Sequence, residues 1–217
     1  MIASEAEARA WLQTLPEVDA AALERLERLV GLLIEENAHQ NLVSAASLDH
    51  VWQRHIADSA QLLPHVPREK SSPWLDLGTG AGFPGLVIAA LRPEAEVLMV
   101  ESRARRIEWL ARAAELLDLP RAQVLGSRLE LVEARAVQVI SARAFAPLDR
   151  LLDISARFST ADTLWLLPKG RSARDEVNQL SGWAHQFHVE HSLTDPAAGI
   201  VIGTLKGRTA NKRARKP

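Results

Sequence analysis

The sequence predicts an α/β protein of the Rossmann-like type, a seven-stranded, mostly parallel sheet with an antiparallel edge hairpin, preceded by an N-terminal helical extension. Three observations carry this reading. From residue 74 onward, short apolar runs alternate with amphipathic helical stretches. A loop with glycines at 78, 80, 82 and 85 joins the first run to the first of those helices. No helical pattern separates the last two runs, so they are expected to pair as a hairpin. The chain accordingly divides into helical residues 1–65, an α/β unit over 74–205 and a basic tail over 206–217.

Taken in order, Ser4 with Glu7 three places on forms a capping box that opens a helix to about Leu15, where Pro16 stops it. A second helix follows Asp19. Its residues Leu23, Leu26, Leu29, Val30, Leu33 and Ile34 keep helical spacing and form one stripe to be buried, with Asn37 near its end. Ser47 caps a third helix running to Leu63, closed by Pro64, and the proline-rich segment 64–73 reads as a linker. The strands are predicted at 74–77, 97–100, 123–125, 137–141, 163–167, 187–193 and 200–205. Helices fall at 86–91, 103–117, 148–158 and 173–180, the last capped by Ser172.

Composition narrows the classes of function. With 217 residues and 47% hydrophobic content the chain buries a full core, and the absence of cysteine removes disulfides, thiolate zinc sites and every cysteine nucleophile. No apolar run approaches the roughly 18 residues of a membrane span, and Glu5 and Glu7 stand where a secretory signal carries basic residues. A cytoplasmic protein with no membrane partner is expected. The net charge of −1 is an average of unlike parts. Six of the 26 Lys and Arg lie in 206–217, which holds no acid, so residues 1–205 set 20 bases against all 27 acids. An acidic body carries a basic tail.

The loop Asp76-Leu77-Gly78-Thr79-Gly80-Ala81-Gly82-Phe83-Pro84-Gly85 is the strongest local signal. Gly78, Gly80 and Gly82 let the backbone turn and approach a ligand, and Glu101, 23 residues after Gly78, is placed to accept from a ribose diol. An adenosine-containing cofactor follows. Gly80, Gly82 and Gly85 also spell G-x-G-x-x-G, which keeps a nicotinamide cofactor in view. Pro84, lacking an N–H, and Asp76, which suits a cationic amino-acid end better than two phosphates, favour S-adenosylmethionine.

Asn41-Leu42-Val43-Ser44, Arg54-His55-Ile56-Ala57-Asp58-Ser59, the glycine loop, Ser127-Arg128-Leu129-Glu130, Ala142-Arg143-Ala144-Phe145-Ala146 and Pro168-Lys169-Gly170 together resemble the RsmG family, also called glucose-inhibited division protein B. The resemblance covers residues 41–170. It implies a class I S-adenosylmethionine-dependent methyltransferase that methylates N7 of a guanine in 16S rRNA, in the 530 loop, and releases S-adenosylhomocysteine. The implied partner is 16S rRNA, the 30S subunit or an assembly intermediate, met by a monomer. Carried over motif by motif, the cofactor contacts fall on Gly78, Phe83, Leu129, Glu130 and Arg143. Gln138 stands where family members often have an acid.

The residues agree with that chemistry. Guanine N7 bears no proton, so positioning is the principal demand and no general base is required. Arg143 and Lys169, each at the carboxyl end of a predicted strand, are candidate substrate-positioning residues, and no residue is assigned a catalytic role beyond positioning. Arg54, His55 and Asp58 share one helical turn. Their spacing supports an Arg54–Asp58 ion pair, or else a wall of the RNA entrance. Arg54, His55, Lys169, Lys212, Arg213 and Arg215 are the candidate RNA contacts. His185, His188 and His191 on one strand would point to opposite faces, so no metal site is expected, and the six tryptophans read as packing residues. Two rival classes remain: a nicotinamide-dependent oxidoreductase and a noncatalytic rRNA-binding module.

Overall fold

The structure is a computed structural model that describes residues 1–209. Strands β1 (Trp74–Leu77), β2 (Val97–Glu101), β3 (Ala122–Gly126), β4 (Val139–Ser141) and β5 (Leu164–Gly170) lie parallel in the order 3-2-1-4-5. The right-hand part departs from expectation. Strand β8 (Gly199–Arg208) runs antiparallel beside β5, and its other edge carries both β6 (Trp183–His185) and β7 (His188–His191). The described sheet thus has eight strands where the sequence predicts seven. The hairpin partner β8 sits inside the sheet, not at its edge. Both departures follow from how β8 is paired. Ile200 and Ile202 of β8 join the core on one face while Val201 and Leu205 join the core on the other, as suits an interior strand. Opposite Gly203, a Cβ would lie 2.2 Å from the Gln186 carbonyl oxygen; the outer strand breaks there into β6 and β7.

Alternation along the strands divides the core into two layers. Trp74, Val97, Met99, Val139 and Leu166 face α5 (Gly85–Leu91), α6 (Ala104–Leu116) and the N-terminal helices. Leu75, Leu77, Leu98, Ile140 and Trp165 face α7 (Leu148–Ser155) and α8 (Ala173–Gln179). The N-terminal segment is therefore one of the coverings of the sheet. Its helix α1 (Glu5–Leu12) starts with Ser4 Oγ accepting from the Glu7 N–H, but the Glu7 carboxylate accepts from Ala3, one residue before the cap, and the helix ends short of Leu15. Helix α2 (Ala20–Asn37) is capped by Asp19, which accepts from Ala22 N at 2.7 Å, and buries Leu26, Leu29, Val30 and Leu33. Ile34 is 50% exposed and lies outside that stripe.

The expected third helix is broken. It consists of α3 (Ala45–Leu48), a π-helical turn (Trp52–Ala57), α4 (Asp58–Ala60) and a 3-10 turn (Leu63–His65). The restart at Trp52 has a tertiary origin: the Glu5 carboxylate of α1 accepts from both the Trp52 and Gln53 N–H groups, at 3.0 and 2.9 Å, and so caps a new helical start. Ser44, not Ser47, occupies the cap position, and no side-chain cap bond is made. The predicted linker is packed. Arg92, 2% exposed, pairs with the buried Glu17 at 2.7 Å and donates to the Val66 carbonyl, tying residues 64–73 to the end of α5. Ser172 already has helical dihedrals and donates to Lys169 O and Glu176 instead of capping α8. Lys206 and Arg208, assigned to the tail, belong to β8; Lys212, Arg213 and Arg215 lie outside the described residues. No described helix is long and apolar enough to cross a membrane. Four tryptophans (52, 74, 109 and 165) are buried, while Trp11 and Trp183 are half-buried.

Candidate functional site

Two cavities open beyond the carboxyl ends of the parallel strands, where ligands bind in sheets of this kind. The smaller, about 390 Å³, lies over β1, β2 and β3 and is lined by Gly78, Glu101, Leu129 and Glu130 among others. The larger, about 710 Å³, lies over β4 and β5, and the N-terminal segment supplies Arg54, His55, Asp58 and Gln61 to its wall. Phe145, Ala146 and Pro147 line both, so the two cavities meet at the segment that follows β4.

The glycines serve different ends. Gly78 has φ +62°, and a Cβ there would stand 2.3 Å from the Phe145 ring, which packs on this residue at the junction of the cavities. At Gly82, φ +103°, a Cβ would stand 2.4 Å from Leu86 and drive α5 off the turn. Gly80 lines neither cavity; the nearest atom to its added Cβ is the flexible end of Arg106 at 3.4 Å. Asp76 is fully buried and does not present its charge to a ligand. It accepts from Gly85 N at 3.0 Å and from Ser141 Oγ at 2.7 Å, and Ser141 in turn accepts from the Trp74 indole. Burial pushes its pKa up, against the pull of those hydrogen bonds and of Arg143.

Glu101, at the end of β2, lines the smaller cavity. One oxygen is held by the Ser102 and Arg103 N–H groups at 2.7 and 2.9 Å; the other has Arg106 at 3.9 Å. The carboxylate is thus oriented by backbone while one edge is left toward the cavity, a fit for the diol of an adenosine. Leu129 is buried beneath it and Glu130 is exposed, the latter's pKa held below the usual range by its own N–H and by Arg128.

Arg143, His55, Asp58 and Phe83 form one cluster. Arg143 Nη1 donates to Asp58 Oδ2 and to the Arg54 carbonyl, each at 3.2 Å, and Nη2 donates to His55 Nδ1 at 3.3 Å. The guanidinium lies 5.2 Å from the Phe83 ring centre, and His55 stacks on the same ring at 4.9 Å. Burial, then Arg143 and Arg54, pushes the His55 pKa down to about 3. The ring is neutral; with Nδ1 accepting, the proton is assigned to Nε2, which lies 3.0 Å from Ser47 Oγ. The Arg54–Asp58 pair expected from spacing is not formed, because the carboxylate is taken by Arg143 from the far side and the intervening turn is π-helical.

Lys169 also differs from expectation. Its side chain is 7% exposed, pairs with Glu176 at 3.0 Å and donates to the Ala146 carbonyl, so its charge braces the junction segment instead of standing open. Burial alone would raise the Glu176 pKa, but the hydrogen bonds of Ser172 and Lys169 hold it below the usual range, and its carboxylate also accepts from Leu148 N at the start of α7. His185 lies on β6, whereas His188 and His191 lie on β7; among the described residues no three His, Asp or Glu are grouped to hold a metal. Gln61, Ser192 and Thr194 enter the larger cavity wall without having been singled out in sequence. Gln61 lies three residues from Asp58, but Ser192 and Thr194 lie more than 130 residues from it, so no local pattern could have found them.

Comparison with known proteins bears on this geometry. The sequence profile of a family described as rRNA small subunit methyltransferase G (GidB) matches residues 22–195. The Ribosomal RNA small subunit methyltransferase G of Novosphingobium aromaticivorans is 59% identical over 207 residues, 94% of this chain and 90% of that one. That of Erythrobacter litoralis is 57% identical over 210 residues, 96% of this chain and 100% of the other. Among solved structures, a putative O-methyltransferase from Klebsiella pneumoniae aligns with TM-score 0.59 at 15% identity, covering 93% of this chain and 97% of that one. An Aeropyrum pernix fibrillarin with natively bound S-adenosylmethionine aligns with TM-score 0.54 at 15% identity, covering 70% and 75%. These two likenesses establish the class I methyltransferase fold.

Proposed function

The chain belongs to the rRNA small subunit methyltransferase G family, and from that premise we propose that it transfers the methyl group of S-adenosylmethionine to N7 of a guanine in the 530 loop of 16S rRNA. The observation that carries the reading is the pair of cavities joined at Phe145 to Pro147. The smaller holds a backbone-oriented carboxylate suited to a nucleoside, and the larger has room for a second purine nucleotide. When bound, the cofactor supplies a methyl group on a sulfonium. Glu101 would hold its ribose, Leu129 and Glu130 its adenine edge, and Gly78 and Phe83 the turn beneath its amino-acid end, with Arg143 in the wall of the larger cavity.

The start of α5 argues against the nicotinamide alternative. A pyrophosphate needs free N–H groups at that helix terminus. Pro84 has none, the Gly85 N–H is given to Asp76 and the Leu86 N–H to the Gly82 carbonyl. In the methyl transfer itself the guanine N7 lone pair forms the new N–CH3 bond as the S–CH3 bond breaks, and the positive charge passes from sulfur to the purine ring. No proton moves, so the neutral His55 and the engaged Asp58 and Lys169 suit a site that holds its reactants in line. The substrate is taken to be cytoplasmic 16S rRNA within the small subunit or its precursor.

The test is to incubate the protein with methyl-labelled S-adenosylmethionine and small subunits that lack the modification, then to map 7-methylguanosine by chemical cleavage of the rRNA. A single labelled guanine in the 530 loop is expected. Label at another atom or another loop refutes the specificity; RNA binding without label would return the chain to a noncatalytic module.

A further inference from the structure

We propose that Asp58, a residue of the N-terminal segment, is a positioning residue for methyl transfer: it fixes the Arg143 guanidinium in the wall of the larger cavity, just before the Phe145 to Pro147 segment that the two cavities share. The inference rests on the reading that Arg143 touches cofactor or substrate. Its physical basis is the division of labour between the two carboxylate oxygens. Oδ1 accepts from Gln61 Nε2 at 2.8 Å and from Thr194 Oγ1 at 2.7 Å. Oδ2 accepts from Arg143. One oxygen is thus anchored by two donors from separate elements, and the other is left to hold the arginine. Gln61 is itself fixed, since its Oε1 accepts from Leu193 N at 2.7 Å.

Arg143 has no comparable support from its own segment. It lies in the irregular stretch between β4 and α7, next to Ala144 at φ +51°. Every hydrogen-bond acceptor of its guanidinium among the described residues comes from Arg54, His55 or Asp58. Of these only Asp58 carries a negative charge, because His55 is neutral and Arg54 contributes a carbonyl. The pair is partly shielded, with side-chain exposures of 23% and 19%, so the attraction is stronger than at an open surface. Take away that charge and the guanidinium is held by two neutral acceptors and the face of Phe83, and is free to leave its place in the wall of the larger cavity. The N-terminal segment, remote in sequence from the glycine loop, then sets the geometry of the reaction centre.

The experiment uses the full chain with labelled cofactor and unmodified small subunits. Asp58→Asn keeps an acceptor for Gln61 and Thr194 but removes the charge facing Arg143. The expected result is a kcat reduced about 10- to 100-fold, with KM for the subunit and the melting temperature close to wild type. Combined with Arg143→Ala, it should reduce kcat no further than Arg143→Ala alone. If Asp58→Asn fails to fold, Thr194→Val, which loosens one anchor and leaves the charge, is read in the same cycle and should show a smaller loss with the same non-additivity. Wild-type kcat in the Asp58 or Thr194 variant, or losses that multiply with that of Arg143→Ala, overturns the inference while leaving the function intact. Wild-type activity in Arg143→Ala overturns the reading on which it rests.

Discussion

Acidification from pH 7 to pH 5 is expected to cost this protein about 2 kcal/mol through His55 alone. In the folded chain the imidazole pKa is pushed down from 6.5 to about 3 by burial and then by Arg143 and Arg54. Above 6.5 the ring is neutral in both folded and unfolded chains and nothing is lost. Between the two values the unfolded chain takes a proton that the folded chain refuses, so stability falls as the pH drops. At about 1.36 kcal/mol for each pH unit below 6.5, pH 5 gives the figure above. His65 and His185, whose pKa values are also lowered by burial, act in the same direction, whereas the raised pKa of Asp76 acts in the opposite one. His55→Gln isolates the term, since glutamine can still donate toward Ser47 and does not titrate. Urea unfolding followed by tryptophan fluorescence, for both proteins at both pH values, yields the difference directly. The wild type should lose about 2 kcal/mol more than the variant. Equal losses would show that His55 is protonated in the folded site, and the assignment of Nδ1 as acceptor for Arg143 would fall with it.

Four further outcomes follow from the same structure. Arg92→Met leaves the Glu17 carboxylate, at 4% side-chain exposure, with only Arg68 at 3.6 Å and should lower unfolding free energy in urea by about 3–5 kcal/mol; a loss under about 1 kcal/mol would mean that Arg68 takes over the carboxylate. Glu101→Gln keeps the acceptor for Ser102 and Arg103 but removes the charge offered to the ribose, so calorimetric affinity for S-adenosylmethionine should fall about tenfold at unchanged melting temperature. Gly78→Ala, which meets the Phe145 ring, should weaken cofactor binding more than Gly80→Ala, which meets only the tip of Arg106, although both incur about 1–2 kcal/mol of backbone strain; the reverse order would relocate the cofactor. Removal of residues 210–217, with their four basic side chains, should flatten the salt dependence of RNA affinity, and an unchanged slope would assign those charges no phosphate contact.

What could be read from sequence is what depends on near neighbours. Strands β1, β2, β4 and β5 and the helices α5 to α8 were recoverable because each of these strands is a short run largely buried on both faces and each helix carries its own apolar stripe, while the half-buried β3 follows a helix that marks its start. The errors sit where a distant residue decides. Nothing near Trp52 announces a helical restart, since the cap is Glu5, supplied from α1. Nothing near Gln186 announces the break between β6 and β7, since the residue that lets its backbone approach so closely is Gly203 on the neighbouring strand.

The same distinction governs the site, and it alters where the RNA should be met. Glycine spacing and Glu101 were legible because the turn and the strand end that place them are local. The partner of Asp58 was not: Arg54 satisfied the helical spacing rule, yet the carboxylate is taken by Arg143 from 85 residues away. Lys169, read as an open contact, is engaged by Glu176 within the fold, and Arg143, read as a positioning residue, is held by Asp58. By contrast Arg103, Arg128 and Arg150 stand exposed around the smaller cavity, and of these only Arg128 forms an ion pair within 4 Å, with Glu130 at 3.6 Å, among the described residues. In a body with a surplus of seven acids over residues 1–205, these arginines would draw a phosphate to that rim, beside the smaller cavity and across Phe145 from the larger one.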